Sequence, residues 1–418
     1  MYLEKYSIGI GDRFGLQGAA QLKAFLKAKE KGFTIVPVWN KSKREHILIN
    51  SSPKDTRVEA DNAVSEIKWK DSYYVDADHI GRQTVDEFIE YCNFYTLDVA
   101  DFINQPLPDE KIKGFIKSAS EFLGELKIPG VSNSFLITED KLRAIAQKYL
   151  GALTEASNIY SHINSLKSSD SFVTEVSLDE NHEPQTPEEL FFILFGLSLN
   201  NVPIQTIAPK FTGRFNKGID YAGNVEIFAR EFEDDIAVIN YAVKLFSLPA
   251  NLKLSIHSGS DKFSLYSHIN KIIRKLDAGI HIKTAGTTWL EELIGLAEAD
   301  GDGLKFAKKV YEQSYNRIDE MIKPYLTVVD INIAELPLPK EVNKWSGEEY
   351  ISALRHNQNC KKFNIHFRQL LHLGYKIAAE MGSQYISLVE KYSDIIAKNV
   401  TCNIYDRHIK PLFLNNAS

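Results

Sequence analysis

The sequence predicts an α/β protein built on a (β/α)8 TIM-type barrel, and three observations carry that expectation. Short β-branched runs recur along the chain with helical patterns between them, the signature of parallel βα units. Each run begins apolar and ends in charged or hydroxyl side chains, and such a barrel gathers its site at the carboxyl ends of its strands. No glycine-rich dinucleotide fingerprint follows the first run, which weighs against an open doubly wound sheet made of the same units.

The runs can be taken in order. Residues 6–13 end in Gly11-Asp12-Arg13, residues 34–41 in Trp39-Asn40-Lys41, and residues 73–80 in Asp78-His79-Ile80. Residues 172–180 end in Leu178-Asp179-Glu180 and residues 204–210 in Ala208-Pro209-Lys210. Residues 252–261 end in Gly259-Ser260-Asp261, and residues 279–286 close the set with Thr284-Ala285-Gly286. These seven are clear, so the eighth strand of a closed barrel must be weak in sequence. Helix signals follow several of them. Thr84-Val85-Asp86-Glu87, Thr186-Pro187-Glu188-Glu189 and Thr288-Trp289-Leu290-Glu291 read as capping boxes, the second with proline at the first helical position. Residues 16–30 have helical spacing and stop at Gly32.

The 418 residues exceed the ~250 of a plain barrel, so additions are expected. A helical insertion is expected over about 96–170, with helices at 109–126 and 139–166, and a helical extension over about 303–418. Neither has linker composition, so residues 1–418 read as one decorated domain. A net charge of -6 and pI near 6.0 exclude a general nucleic-acid binder, which needs a basic face. No run of ~20 apolar residues is present, so no membrane partner is expected. The chain opens almost directly on its first strand, and Cys92, Cys360 and Cys402 form no metal-type pairing. Together these suggest a cytoplasmic protein with reduced thiols. Nothing in the sequence sets an oligomeric state.

Strand alternation shows which side chains share a face. Val75 and Ala77 oppose Asp76 and Asp78; Val176 and Leu178 oppose Glu175, Ser177 and Asp179. Leu254 and Ile256 oppose Ser255 and His257; Ile280 and Ile282 oppose His281 and Lys283. The polar set faces inward near the mouth, with His79 at the rim. Three histidines and several carboxylates converging on one cavity have the composition of a divalent-metal site, suited to Zn, Mn, Fe, Co or Ni. The loops beyond suit a polyhydroxylated anion. Residues 258–264 combine Ser258, Asp261 and Lys262, residues 284–288 lead into a helix start, and Arg13, Lys41, Lys210 and Arg214 add positive charge.

Eight segments in order then carry a resemblance: GDRFG (11–15), PVWNKSKREH (37–46), VDADHI (75–80), TEVSLDENHEPQTPEELFFIL (174–194), APKFTGR (208–214), IHSGSDKFS (256–264), IKTAGTTWLEEL (282–293) and RQLLHLGYKIAAE (368–380). They resemble the tagaturonate epimerases, metal-dependent enzymes that interconvert tagaturonate and fructuronate in bacterial hexuronate catabolism. The resemblance implies a small sugar-acid substrate and a metal centre built by the segments around residues 76–80, 256–264 and 281–288.

Individual roles follow from strand geometry. His79, His257 and His281 are expected as metal ligands, with Glu175 the alternative third. Asp78 is expected as general base and Glu175 as the opposing acid. Lys283 is the expected partner of the substrate carboxylate, assisted by Lys262 or Arg214, with Ser258, Asp261 and Lys210 also on the substrate or behind a ligand. On the helix at 368–376, His372, Tyr375 and Lys376 share a face that either lines the pocket or packs on the barrel.

Carbon 4 of a 2-keto hexuronate lies beta to both ketone and carboxylate, so its proton is not acidified. Inversion then proceeds by retro-aldol cleavage between carbons 3 and 4 or by proton exchange between two groups. Either route needs a Lewis acid and acid/base groups. A metal-dependent ketose or ketohexuronate 3-epimerase, or an aldolase, would use the same inward groups.

Overall fold

The computed structural model describes residues 1–181, 183–257 and 260–414. Among them, eight parallel strands close into a barrel: β1 (Tyr6–Ile10), β2 (Val36–Ser42), β3 (Tyr74–Ile80), β4 (Phe94–Asp98), β5 (Val173–Ser177), β6 (Thr206–Ala208), β7 (Lys253–His257) and β8 (Ile280–Lys283). Each strand pairs with the next in sequence, and β8 returns to β1 with Ser7 opposite His281. The (β/α)8 architecture is the one the sequence predicts.

Alternation divides each strand between two environments. In β2, Val36 and Val38 join Leu3, Tyr74, Phe94 and Val173 in a buried cluster that fills the amino-terminal end of the barrel. Trp39, the next residue and on the opposite face, joins the larger core shared with the surrounding helices. One step further along, the interior turns polar. Asn40, Asp76, Thr96, Glu175, Ser255, His281 and Lys283 are all buried. Polar groups that leave water in this way must satisfy one another.

The strand hidden in sequence is β4. Phe94, Tyr95 and Leu97 are all fully buried, and with Phe94 on the inward face only Thr96 and Asp98 mark the alternation in this five-residue strand. The 96–170 stretch therefore begins with the end of a barrel strand. The rest holds helices Asp109–Ser118 and Glu139–Leu166 and an antiparallel pair, Gly124–Leu126 with Phe135–Ile137. The expected helix at 109–126 thus ends at Ser118 and gives way to a short strand.

The three capping boxes fare differently. Thr186 caps the helix Pro187–Leu199, its hydroxyl accepting from Glu189 N while the Glu189 carboxylate accepts from Thr186 N. Thr84 opens only a 3-10 turn, Val85–Glu87, and its hydroxyl bonds to Gly81 instead. The helix Thr288–Glu298 starts one residue earlier than the box implies, with Thr287 at the N-cap position and no side-chain capping bond, while the Thr288 hydroxyl accepts from Gln21 Nε2 at 2.9 Å. The first helix, Gly18–Glu30, ends as expected before Gly32, whose φ of +79° suits glycine.

The carboxyl-terminal region is a chain of helices from Gly301–Asn316 to Ser393–Cys402, continued by a π-helical segment, Asn403–Leu414. Ser393–Cys402 packs on both Thr288–Glu298 and Gly18–Glu30, so the extension covers the barrel where its ends meet. No helix among the described residues is long and apolar enough to cross a membrane.

Candidate active site

The site begins with a departure from alternation. Asp78 and His79 are consecutive, so a regular strand would send them to opposite faces. The β3–β4 register shifts between Ala77 and Ile80, and His79 has φ of +50°. A bulge of this kind adds a residue and re-aims a side chain, and a left-handed non-glycine residue is held only where the surroundings enforce it. The His79 imidazole consequently turns inward beside Asp78, and its ring lies 5.1 Å from that of His257.

Lys283 lies at the centre of the floor. Its ammonium is 2.8 Å from Asp76, 2.8 Å from Asp78 and 3.3 Å from Glu175, and it donates to the Thr96 hydroxyl. Thr96 in turn donates to Asp76 or Glu175. Glu175 also sits 2.9 Å from His257 Nε2, while His257 Nδ1 is 3.1 Å from Asp179. His79 Nδ1 lies 3.4 Å from Asp98.

This floor holds more negative charge than positive. Asp76, Asp78, Asp98, Glu175 and Asp179 surround one lysine. Burial, reinforced by Asp78 and Glu175, pushes Asp76 up to about 7 against the pull of Lys283. Burial also disfavours charge on Asp78, but Lys283 and His79 outweigh it and hold the carboxyl at about 2. Burial opposes protonation of His79, yet Asp78, Asp98 and Asp179 raise it to about 10. His257 is likewise raised to about 9 by Asp179 and Glu175. The floor therefore favours positive charge beyond Lys283, which two imidazolium protons or a divalent cation would supply.

The donor geometry suits the cation. His79, His257 and Asp179 each offer an atom within 4.8 Å of the others, and His79, Asp98 and Glu180 form a second such group. Neither His79 Nδ1 nor His257 Nδ1 has hydrogen-bond geometry to its neighbouring carboxylate, so both are buried donors without a hydrogen bond. Two imidazoles and a carboxylate at a cavity wall match a catalytic metal site that keeps positions open for substrate.

Several expected residues sit elsewhere. His281 belongs to neither group. It lies in register with Ser255, a layer below His257, with Nδ1 2.9 Å from the Ser7 hydroxyl and its ring against Phe94. Burial drives it down to about 3, so it is a neutral interior histidine. Glu175 is fully buried behind His257 and Lys283, and despite its burial those two cations hold it well below the usual carboxylate range. It is thus an orienting anion and not an acid facing substrate. Lys283 lines the cavity but is already shared among three carboxylates, so a fourth is not its natural partner.

The loop after β7 also differs from expectation. Ser258 lies outside the described residues. Asp261 is fully buried and bound to the extension: Arg368 Nη2 at 2.6 Å, His356 Nδ1 at 3.1 Å and His408 Nε2 at 3.3 Å. Arg368 also donates to Thr287 Oγ1 and to the carbonyls of Gly218 and Leu354, tying three barrel loops to one guanidinium. Lys262 donates to the carbonyls of Asn216, Ile219 and Ser260 and does not reach the cavity. Lys41 points to the outer side of β2, away from the cavity that its neighbour Asn40 lines.

The cavity above the floor has a volume of about 790 Å³. Asp78, His79, Asp179, Glu180, His257 and Lys283 form one end. Arg13, Arg44, Lys210, Arg214 and Lys217 line the rest, under a roof from the extension that includes Tyr325 and His372. Lys210 and Arg214 are therefore where the sequence puts them, and His372 reaches the pocket. Lys376 instead pairs with Glu320 on the surface. Asp98 went unmarked because β4 did, whereas Asp179 was already visible on the inward face of β5. Arg44, at the start of the helix Lys43–Ile49, fell inside the segment 37–46 but was not singled out, and Lys217 carried no sequence signal beyond lying in a loop that follows a strand.

Comparison with known proteins gives the family. The family model described as tagaturonate epimerase matches residues 1–412. A tagaturonate/fructuronate epimerase from Thermotoga maritima is 25% identical over 96% of this chain and 80% of its own. Fructuronate-tagaturonate epimerase UxaE from Cohnella laeviribosi, crystallised with one glycerol, superposes with a TM-score of 0.80 at 23% identity, covering 99% of this chain and 82% of that one. Its native crystal form gives 0.77 at the same identity and coverage. These structures share the fold. With the family model spanning nearly every residue, this chain belongs to the tagaturonate epimerase family.

Proposed function

We propose that this protein interconverts tagaturonate and fructuronate by inverting carbon 4, using a divalent cation held by His79, His257 and Asp179. The observation that carries this reading is the meeting of those three side chains at the wall of a polar cavity. Asp179 replaces His281 in the ligand set, because face alone, without depth, made His281 a ligand. A cation there supplies Lewis acidity toward a substrate carbonyl and hydroxyl.

The chain's own residues do the rest. Asp78 faces the cavity as an ionised carboxylate and takes the proton of the carbon-4 hydroxyl as the bond between carbons 3 and 4 breaks. Lys283, 2.8 Å away, keeps that carboxylate ionised before proton transfer and favours return of the proton afterwards. Glu175 fixes the ring of His257 through Nε2, which leaves Nδ1 toward Asp179. Once the aldehyde has turned, the carbon–carbon bond re-forms on its other face and Asp78 returns the proton. This route needs one base, which fits a floor whose second expected acid, Glu175, is out of reach of substrate.

Tagaturonate carrying deuterium at carbon 4 tests the reading. The expected result is equilibration with fructuronate and full retention of label. Washing-out of the label refutes the cleavage route. Accumulation of three-carbon fragments or a carbon-3 epimer refutes the epimerase assignment.

A further inference from the structure

The cavity wall opposite His79 and His257 carries positive charge that the floor chemistry does not use. Of its five cations, Arg13 is neutralised by Glu45 and Arg214 by Asp330. Arg44, Lys210 and Lys217 have no carboxylate within ion-pair distance among the described residues. Two tyrosines of the extension organise three of these groups. The hydroxyls of Tyr325 and Tyr375 are 2.9 Å apart. The Arg13 guanidinium lies 4.7 Å from the Tyr375 ring centre, and Arg44 and Lys217 lie 5.3 and 5.8 Å from that of Tyr325. Cations from the loops after β1 and β6 and from the helix Lys43–Ile49 after β2 thus meet on one aromatic pair. Lys217 N also donates to Val328 O at 2.8 Å, which fixes its loop to the roof.

Such an arrangement is poised for an anion. Ring faces hold each cation by cation–π attraction and leave its donors directed away from the ring. Burial first, and then the neighbouring Arg13 and Arg44, makes the Lys217 ammonium harder to keep charged, a cost that a bound carboxylate relieves. The lysines expected from sequence cannot serve: Lys283 is shared by three carboxylates and Lys262 by three carbonyls.

We propose that Arg44 and Lys217, seated with Arg13 on the Tyr325–Tyr375 pair, form the subsite for the substrate carboxylate and set the preference for uronates over neutral ketoses. This rests on the sugar-acid reading above. It orients the sugar with its carbonyl and carbon-4 hydroxyl toward the floor and its acid end toward the roof. A guanidinium and an ammonium around one carboxylate give charge-assisted bonds that a neutral hydroxymethyl group cannot replace.

Calorimetric titration of tagaturonate and of tagatose onto the metal-loaded protein tests the assignment. Lys217→Gln and Arg44→Gln should each weaken tagaturonate binding at least about tenfold and lower the tagaturonate-to-tagatose affinity ratio by a similar factor. Lys217→Arg should keep most of the ratio. An unchanged affinity for tagaturonate, or an equal loss for both sugars, overturns the proposal. Turnover is read separately. A wild-type protein that shows this discrimination but never forms fructuronate retains the subsite and loses the epimerase reading.

Discussion

Arg368 offers the sharpest quantitative test of how the extension holds the barrel. Its guanidinium and the Asp261 carboxylate are both fully buried, 2.6 Å apart. Replacing it with methionine keeps the apolar stem but leaves Asp261 with only His356 and His408, both of which burial disposes to stay neutral. It also removes donors to Thr287, Gly218 and Leu354. Breaking one side of a buried ion pair costs about 3–5 kcal/mol. For 418 residues, an unfolding entropy of about 2.1 cal/mol/K per residue gives roughly 0.9 kcal/mol per degree, so Tm should fall by about 3–6 °C. Adding Asp261→Asn to Arg368→Met should recover part of the loss, because the uncompensated charge is gone. Thermal unfolding followed by circular dichroism measures both. A drop under about 1 °C for Arg368→Met, or a double variant no better than the single, refutes the argument.

Three other outcomes are expected. His79→Ala and His257→Ala should each lose bound metal, measured by elemental analysis after dialysis, whereas His281→Gln should retain it at wild-type stoichiometry; equal metal loss in all three would restore His281 as a ligand. Asp78→Asn should lower kcat at least ~100-fold with a smaller change in KM, and near-normal turnover would remove Asp78 as the base. Buried His356, His372 and His408 should each lower stability as pH falls below about 6.5, because the unfolded chain then takes up protons that they resist, against the opposite contribution of buried Asp76. The slope approaches about 1.4 kcal/mol per pH unit for each such histidine. His356→Gln should therefore shift the pH dependence of Tm between pH 7 and 5 so that high pH is favoured less than in the wild type, and an identical pH dependence of Tm in the two proteins would contradict the assignment.

The sequence made direction legible but not depth. Alternation put Glu175, His257, His281 and Lys283 on the inward face, and all four are there. It carries no measure of height along the barrel axis, so His281, two residues before the end of β8, looked equivalent to His257 at the end of β7. β4 escaped because it is short, with apolar Phe94 leading its inward face, and only a 3-10 turn separates it from β3, where the pattern leads one to expect a helix. Asp261 and Lys262 looked like substrate residues because their partners are remote in sequence. The groups that meet Asp261 come from positions 356, 368 and 408, and of these Arg368 carries the opposing charge. Local patterns reveal what a side chain is able to do, whereas its occupation is decided by such distant pairings.

The inward turn of His79 has a further consequence. This imidazole reaches the interior only because the strand is irregular there, so its direction is governed by how β3 pairs with β4 more than by residue type. Plain pleating through Asp78 and His79 would keep the carboxylate inward and swing the ring toward the helices, with every liganding side chain still spelled out in the chain. A relative could thus keep the whole motif and lack the centre.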